Sequence, residues 1–349
     1  MNTESLNPAG PRFRQARPHD RRIGVAVCCG VLLLALTAAA PAQECLTQAK
    51  MTAADRDGLA AVSRSVVATA LSGNGATLKG MSAPDLEKDF GGVANAVDQM
   101  HGASTGAVTL REMYLLTAAA GQESTYLCGV YTPEMQVTFN LPGLQAGRYA
   151  VVFAHVTGTP DARQLTLVLQ DLGGWKLAGL VQKPLTQGGH DGLWYWQHGR
   201  ELAGKKQPWA GYFCLELARQ LLTPARFVST TNLDKLVAEA QAARPAEWPS
   251  ADKPLLVTVE GASVPIVGIA PALSIHNSPD LAASVAYTPA ASNSAADGSN
   301  LLAMQNAIGA ELERKAPDLA GVVTQLLVSA SGPNGANGPT TVVTVRRPS

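Results

Sequence analysis

The sequence predicts an α+β protein: N-terminal helices packed on a curved antiparallel sheet, then a helical hairpin, then a small C-terminal α+β domain. Three observations carry that expectation. Between Met135 and Gln182, four short apolar runs (MQVTFN, RYAVVFAHV, LTLVLQDL and WKLAGLVQ) are separated by turn residues, the pattern of an antiparallel meander. Two stretches with apolar residues at helical spacing precede it and can cover one sheet face. From Gly192 the apolar period changes from two to about 3.6, which marks a second, helical layer.

The first 42 residues read as an address. Arg12, Arg14, Arg17, Arg21 and Arg22 form a basic start, Ile23 to Ala40 is an 18-residue apolar run, and Ala40-Pro41-Ala42 is a small-x-small site. This is the layout of a secretory signal cleaved between Ala42 and Gln43. The alternative is an uncleaved anchor through Ile23–Ala40, since about 18 apolar residues can just span a bilayer. The protein is thus expected in the periplasm or outside the cell, touching a membrane only through that segment. Removing residues 1–42 takes away five arginines, Glu4 and Asp20, leaving 22 basic against 25 acidic side chains. A near-neutral chain with no basic stripe is not expected to bind nucleic acid.

Cys28 and Cys29 leave with the signal, so Cys45, Cys128 and Cys214 remain for an oxidising compartment. One disulfide and one buried thiol are expected. Cys45–Cys128 is the favoured pair, because Cys214 sits on a helix among apolar neighbours.

Thr52-Ala-Ala-Asp55 opens the first helix with a hydroxyl cap, and Leu59, Val62, Val66 and Ala70 give its stripe up to Gly73-Asn74-Gly75. Ser82-Ala-Pro-Asp85 opens the second, with Leu86, Phe90, Val93, Val97 and Met100 inward and a break at Gly91-Gly92. Val108–Ala118 and Ser124–Val130 read as strands. In the meander, Met135, Val137 and Phe139 alternate with Gln136, Thr138 and Asn140, Leu165, Leu167 and Leu169 with Thr166, Val168 and Gln170, and Trp175, Leu177 and Val181 with Lys176 and Gln182. Arg148 to Val156 is apolar on both faces, which places it at the centre of the sheet.

Helices over Leu193–Leu202 and Pro208–Leu222 precede a third from Asn232 to Ala243, and Arg244 to Pro254 is a linker by composition. Strands LLVTVE, SVPIVGI and LAASVAY, a helix over Asn300–Lys315, and strands Gly321–Ser329 and Thr341–Arg346 complete the chain. The expected division is 1–42 signal, 43–185 first α+β domain, 186–244 helical hairpin, 245–254 linker and 255–349 C-terminal domain.

Two family resemblances follow from these residues. Leading helices and an antiparallel sheet closing on Trp175-Lys176-Leu177 and Leu180 resemble the NTF2-like or SnoaL-like α+β cone folds, over residues 52–185. Tyr195, Gly199, Leu202, Gly211, Leu215 and Ala218, with Pro224 shortly after, resemble a single tetratricopeptide-type hairpin over 192–224. The cone resemblance implies a pocket, with Tyr149, Phe153, His155 and Trp175 as candidate ligand-binding residues.

No H-E-x-x-H, C-x-x-C, Walker or dinucleotide fingerprint is present, and no metal site or cofactor is expected. Gly102-Ala-Ser104-Thr-Gly106 matches G-x-S-x-G in letters. It follows a helix and precedes a strand, though, the reverse of a nucleophile elbow. His101, His190, His198 and His276 share no motif. Trp194, Trp196 and Trp209 are read as hairpin core, with an exposed partner patch as the other reading. The sequence therefore points first to an exported, non-catalytic module that binds a small apolar ligand or an envelope protein. The alternative is a cone-fold isomerase or hydratase with His155 as general base and Tyr149 nearby.

Overall fold

The structure, a computed structural model, describes residues 44–100, 105–119, 125–129, 136–274, 280–289, 298–331 and 337–345. The expected signal segment, Ser104 and His276 lie outside them. The chain is a mixed α+β protein with a small C-terminal sheet domain.

Strand β1 (Glu44–Thr47) leads into α1 (Ala53–Leu71). The Thr52 hydroxyl accepts the Asp55 amide at 3.1 Å and donates to the Asp55 carboxylate at 2.8 Å, capping the helix as its spacing predicts. A short α2 (Gly75–Gly80) was not anticipated: Asn74 accepts the Thr77 amide at 3.0 Å and restarts the helix straight after the Gly73 turn. The expected second helix is two pieces, α3 (Pro84–Lys88) and α4 (Gly91–Met100), divided at Asp89-Phe90.

Next come β2 (Ala107–Ala118), β3 (Thr125–Gly129), β4 (Gln136–Asn140), β5 (Gly147–Thr157), β6 (Arg163–Asp171) and β7 (Trp175–Pro184). The main sheet has the order β1-β2-β5-β6-β7, antiparallel throughout, with β5 central. Irregular register at Leu110/Glu112 and Val168/Leu169 bends it.

The meander is one strand shorter than expected. Instead of joining β5, β4 sits in a separate three-stranded sheet, pairing with β3 and with β10 (Val228–Thr230). The reason lies in β5, whose two apolar faces each need a cover. Ala150, Val152, Ala154 and Val156 meet Leu59, Val66 and Val97 of the leading helices. Tyr149 and Val151 meet Tyr126, Phe139 and Val228 of the small sheet. The sheet expected to pack on one side is sandwiched on both.

Hairpin β8 (Thr186–Gln187) and β9 (His190–Asp191) turns on Gly188 and Gly189, at φ +55° and +80°, values that a two-residue hairpin turn requires. Helices α5 (Gly192–Gly204) and α6 (Pro208–Leu222) then run back on each other. They approach so closely that a Cβ on Gly211 would lie 2.9 Å from the Ala203 backbone nitrogen, and one on Gly199 3.0 Å from the Gly211 carbonyl.

After α7 (Thr231–Ala243) come β11 (Leu255–Val259), β12 (Ala262–Ala272), β13 (Ala282–Tyr287), α8 (Gly298–Lys315), α9 (Pro317–Ala320), β14 (Gln325–Ser331) and β15 (Asn337–Thr344). The strands form one sheet in chain order, with only β13 and β14 parallel, across the α8 crossover.

The division into hairpin, linker and C-terminal domain is less sharp than composition implies. Phe213 and Leu217 of α6, Ile266 of β12 and Ile308 of α8 share one core. The segment 245–254 is pinned into it by Trp248, which is buried and packs against Trp209 and Tyr212 at ring separations of 5.0 and 4.6 Å. An indole of that size drives burial whatever the surrounding Pro and Ser content. Among the described residues no helix is long and apolar enough to cross a membrane.

Candidate functional site

The four side chains expected to share a pocket lie on two faces of the main sheet. Tyr149 and Phe153 point toward the small sheet, whereas Trp175 packs on the helix-covered side. The face carrying Phe153 is filled by its own aromatics. Tyr114, Phe139 and Phe153 interlock edge-on or tilted at 5.1 to 6.2 Å, a geometry that closes space rather than enclosing it. The Tyr149 hydroxyl accepts from Gln170 at 3.0 Å, and burial raises its pKa.

His155 is half-buried at the end of that face, paired across the sheet with Thr109 and Gln164. Loss of hydration, and then the charge of Arg111, lowers its pKa. Trp175 lies under the Arg148 guanidinium, 5.7 Å from the ring centre, and Arg148 also pairs with Asp55 and Asp171. These contacts staple α1 to the sheet. Neither Tyr149, Phe153, His155 nor Trp175 lines the cleft described next.

Cys45 and Cys128 form a disulfide tying β1 to β3, and Cys214 is a buried thiol whose pKa burial pushes up to about 12. A thiol so far from its thiolate is inert.

The arrangement with chemistry to offer lies at the start of α5. An open cleft of about 220 Å³ runs between the β8–β9 turn, α5, Leu281 ahead of β13, and the Gly321–Thr324 turn after α9. Its most distinctive wall is a stack of three rings. The His190 imidazole lies flat on the Trp194 indole at 3.7 Å and 9°, and His198 covers the opposite face at 4.5 Å and 28°.

Local structure builds this pillar. Asp191 caps α5 by accepting the Trp194 amide at 2.8 Å, which fixes the first turn beneath His190. His198 follows Trp194 by four residues and so lies one turn along the same helix face. Tyr195, edge-on to Trp194 at 4.9 Å, anchors the base by donating its hydroxyl to the Gln187 carbonyl at 2.8 Å.

Two chemical consequences follow. The imidazoles stand on opposite faces of one indole, about 8 Å apart, and an ion held at ~2.1 Å from each ring nitrogen cannot bridge them. Among the described residues, no group of three or more His, Cys, Asp or Glu is placed to hold a metal ion. And with both faces of Trp194 covered, the indole is no platform for stacking a sugar or a base; only its rim is left for a ligand.

Of the three tryptophans read as hairpin core, Trp209 is buried and Trp196 half-buried against Glu239 and Arg200, while Trp194 is 37% exposed beside Leu193 at 55%. Sequence reasoning missed the grouping of His190, Trp194 and His198. Their spacing of four, H-x-x-x-W-x-x-x-H, was the available signal. It becomes meaningful only once the helix is known to start at Gly192, directly after His190.

No protein-family model, curated protein or solved structure matches the chain.

Proposed function

We propose that the protein is an exported, non-catalytic binding or interaction module of the cell envelope, and that its working surface is the α5 cleft. One observation carries this reading. The cleft is open and lined in part by the exposed Trp194, whereas the concavity implied by the cone-fold resemblance is packed with Tyr114, Phe139 and Phe153. Exposed tryptophan beside a well-formed depression is the composition of binding hot spots. The isomerase or hydratase alternative has less support, since the face that His155 ends is occupied by Tyr114, Phe139 and Phe153 packed against one another. Export rests on the basic, apolar and Ala40-Pro41-Ala42 stretches of the leader. The NTF2-like likeness is kept for the layout of residues 43–185 alone.

The test is expression of the full chain from its own start. N-terminal sequencing of the exported fraction should begin at Gln43, and native mass spectrometry should find a co-purifying molecule that Trp194→Ala loses. A chain retained in the cytoplasm with residues 1–42 intact would end the export reading. A co-purifying molecule indifferent to Trp194 would move the site elsewhere.

A further inference from the structure

We infer that the C-terminal sheet is a dimer interface, its bare face packed against the same face of a second copy of this chain. The inference stands apart from the α5 cleft and uses none of its residues.

Strands β11 to β15 alternate between two faces. On one, Ile266, Val285, Val328 and Val343 are buried and share a core with Phe213 of α6 and Ile308 of α8. On the other, the register sets Ala270, Ser284, Leu327 and Val342 in one row across four strands. Leu256 stands opposite Pro265 at the β11 edge of the same face. Leu256 and Val342 are each 56% exposed. Ser284 and Leu327 have a strand on either side, yet they are half-buried where their inward neighbours are buried. Neither Leu256, Leu327 nor Val342 joins a hydrophobic core among the described residues. Three branched apolar side chains thus stand on a face that none of those cores covers.

Charge says what kind of partner fits. No Asp, Glu, Lys or Arg occurs in any of the five strands. Charged residues stand close by, with Glu260 in the β11–β12 turn and Glu311 and Lys315 at the end of α8. Every strand of the main sheet, by contrast, carries one: Glu44, Arg111, Arg148, Arg163 and Lys176. A sheet face or edge left to water is normally polar and often charged, which discourages pairing with another chain. A two-fold contact uses the same patch on both copies, so a charged face would oppose like charges and an uncharged one does not. Homodimer interfaces are also the more apolar class, with charge depleted at their centre. A different protein is selected largely by complementary charge, and this face has none to offer.

The dimensions agree. Five strands spaced about 4.8 Å apart, each presenting about six residues at about 3.3 Å, give a flat footprint of about 480 Å². Side chains standing on the pleat bring the accessible area toward the roughly 600 Å² per partner at which specific interfaces begin. The small Ala270, Ser284 and Ala286 let a second sheet approach to the usual separation of about 10 Å, with Leu327 and Val342 filling the space between. A contact of this size makes a dimer that dissociates in the micromolar range.

The experiment is sedimentation equilibrium of the mature protein over a wide concentration range. A monomer–dimer equilibrium is expected, with a Kd of about 1–100 μM. Leu256→Lys combined with Val342→Lys places cations on the face of both copies. It should weaken the dimer about a hundredfold or more, because an unpaired buried charge costs far more than the lost contact. Thr258→Lys combined with Thr344→Lys repeats the test at polar, exposed positions of the same face, and decides the matter should the first pair not fold. Leu127→Lys, at an exposed leucine of β3, should leave the dimer intact, as should Trp194→Ala.

A protein that stays monomeric at every concentration overturns the proposal. So does a dimer that keeps its strength in both lysine pairs, which puts the contact elsewhere, or one that Leu127→Lys or Trp194→Ala weakens as much. A monomeric exported chain carrying a different protein, lost in Leu256→Lys with Val342→Lys, gives the face to that partner and overturns the second copy too.

Discussion

Asp318 and Lys183 hold opposite ends of α6, each with the charge that its end of a helix favours. From α9, the Asp318 carboxylate accepts the Trp209 and Ala210 amides at 2.9 and 3.3 Å, at the helix N-terminus. From β7, the Lys183 ammonium donates to the Gln220 and Thr223 carbonyls, the latter at 2.8 Å, at the C-terminus. Gln164 and Thr166 of β6 add bonds to the Leu221 and Pro224 carbonyls at 2.8 and 3.3 Å. The helix is thereby fastened to the C-terminal module at one end and to the main sheet at the other, with orphan backbone groups satisfied at both.

Asp318→Ala should lower stability by about 1–2 kcal/mol, the usual cost of losing an N-terminal cap. Chemical unfolding checks the size, and Asp318→Asn, which can still accept, should recover most of it. A neutral result for the alanine variant would mean that the helix end is held by packing alone.

Lys183 has its pKa lowered to about 8 by loss of hydration, and then by the charges of Arg219 and Arg226. Its unfolded value is 10.5, so between the two the unfolded chain binds more protons and stability rises with pH. The unfavourable burial of the charge is fully present below pH 8 and relieved toward 10.5. The tyrosines act in the opposite sense: burial raises Tyr114 to about 12, so its contribution is lost as pH climbs above 10. Unfolding curves of wild type and Lys183→Met, taken from pH 7 to 10, should show the wild type gaining on the variant. Parallel curves would contradict the assignment.

Gly211→Ala should cost about 1–3 kcal/mol through overpacking, because the added carbon meets Ala203 backbone rather than a movable side chain. A thermal melt reads this directly, and a variant as stable as wild type would mean that α5 and α6 separate freely.

Reducing the Cys45–Cys128 bond, or replacing both residues with serine, should cost about 2–5 kcal/mol by freeing the termini of an 83-residue separation in the unfolded chain. In the oxidised native protein, Cys214 should resist maleimide at neutral pH and react only on unfolding. Rapid native labelling would contradict its burial.

Much of the architecture is legible because it depends on near neighbours in the chain. The Thr52 cap, the Pro208 helix start and the two-faced apolar run Arg148–Val156 each state their own structure within a dozen residues. The partner of β4 does not. Its apolar alternation says only that one face is buried, while Phe139 aligns with Val228, a residue that the chain reaches after α5 and α6. The same limit hid the Trp248 anchor inside a stretch whose three prolines and polar residues read as linker.

By itself the sequence determined what short-range physics controls: where helices and strands begin, which faces are apolar, and which two cysteines are best placed to pair. Only the tertiary structure decided that Tyr114, Phe139 and Phe153 pack together on the face expected to hold a ligand, and that an open cleft lies at the start of α5. Periodicity records that a side chain is buried but not against what. A cleft drawn from residues 188–198 and 281–324 exists only after loop closure has brought those segments together.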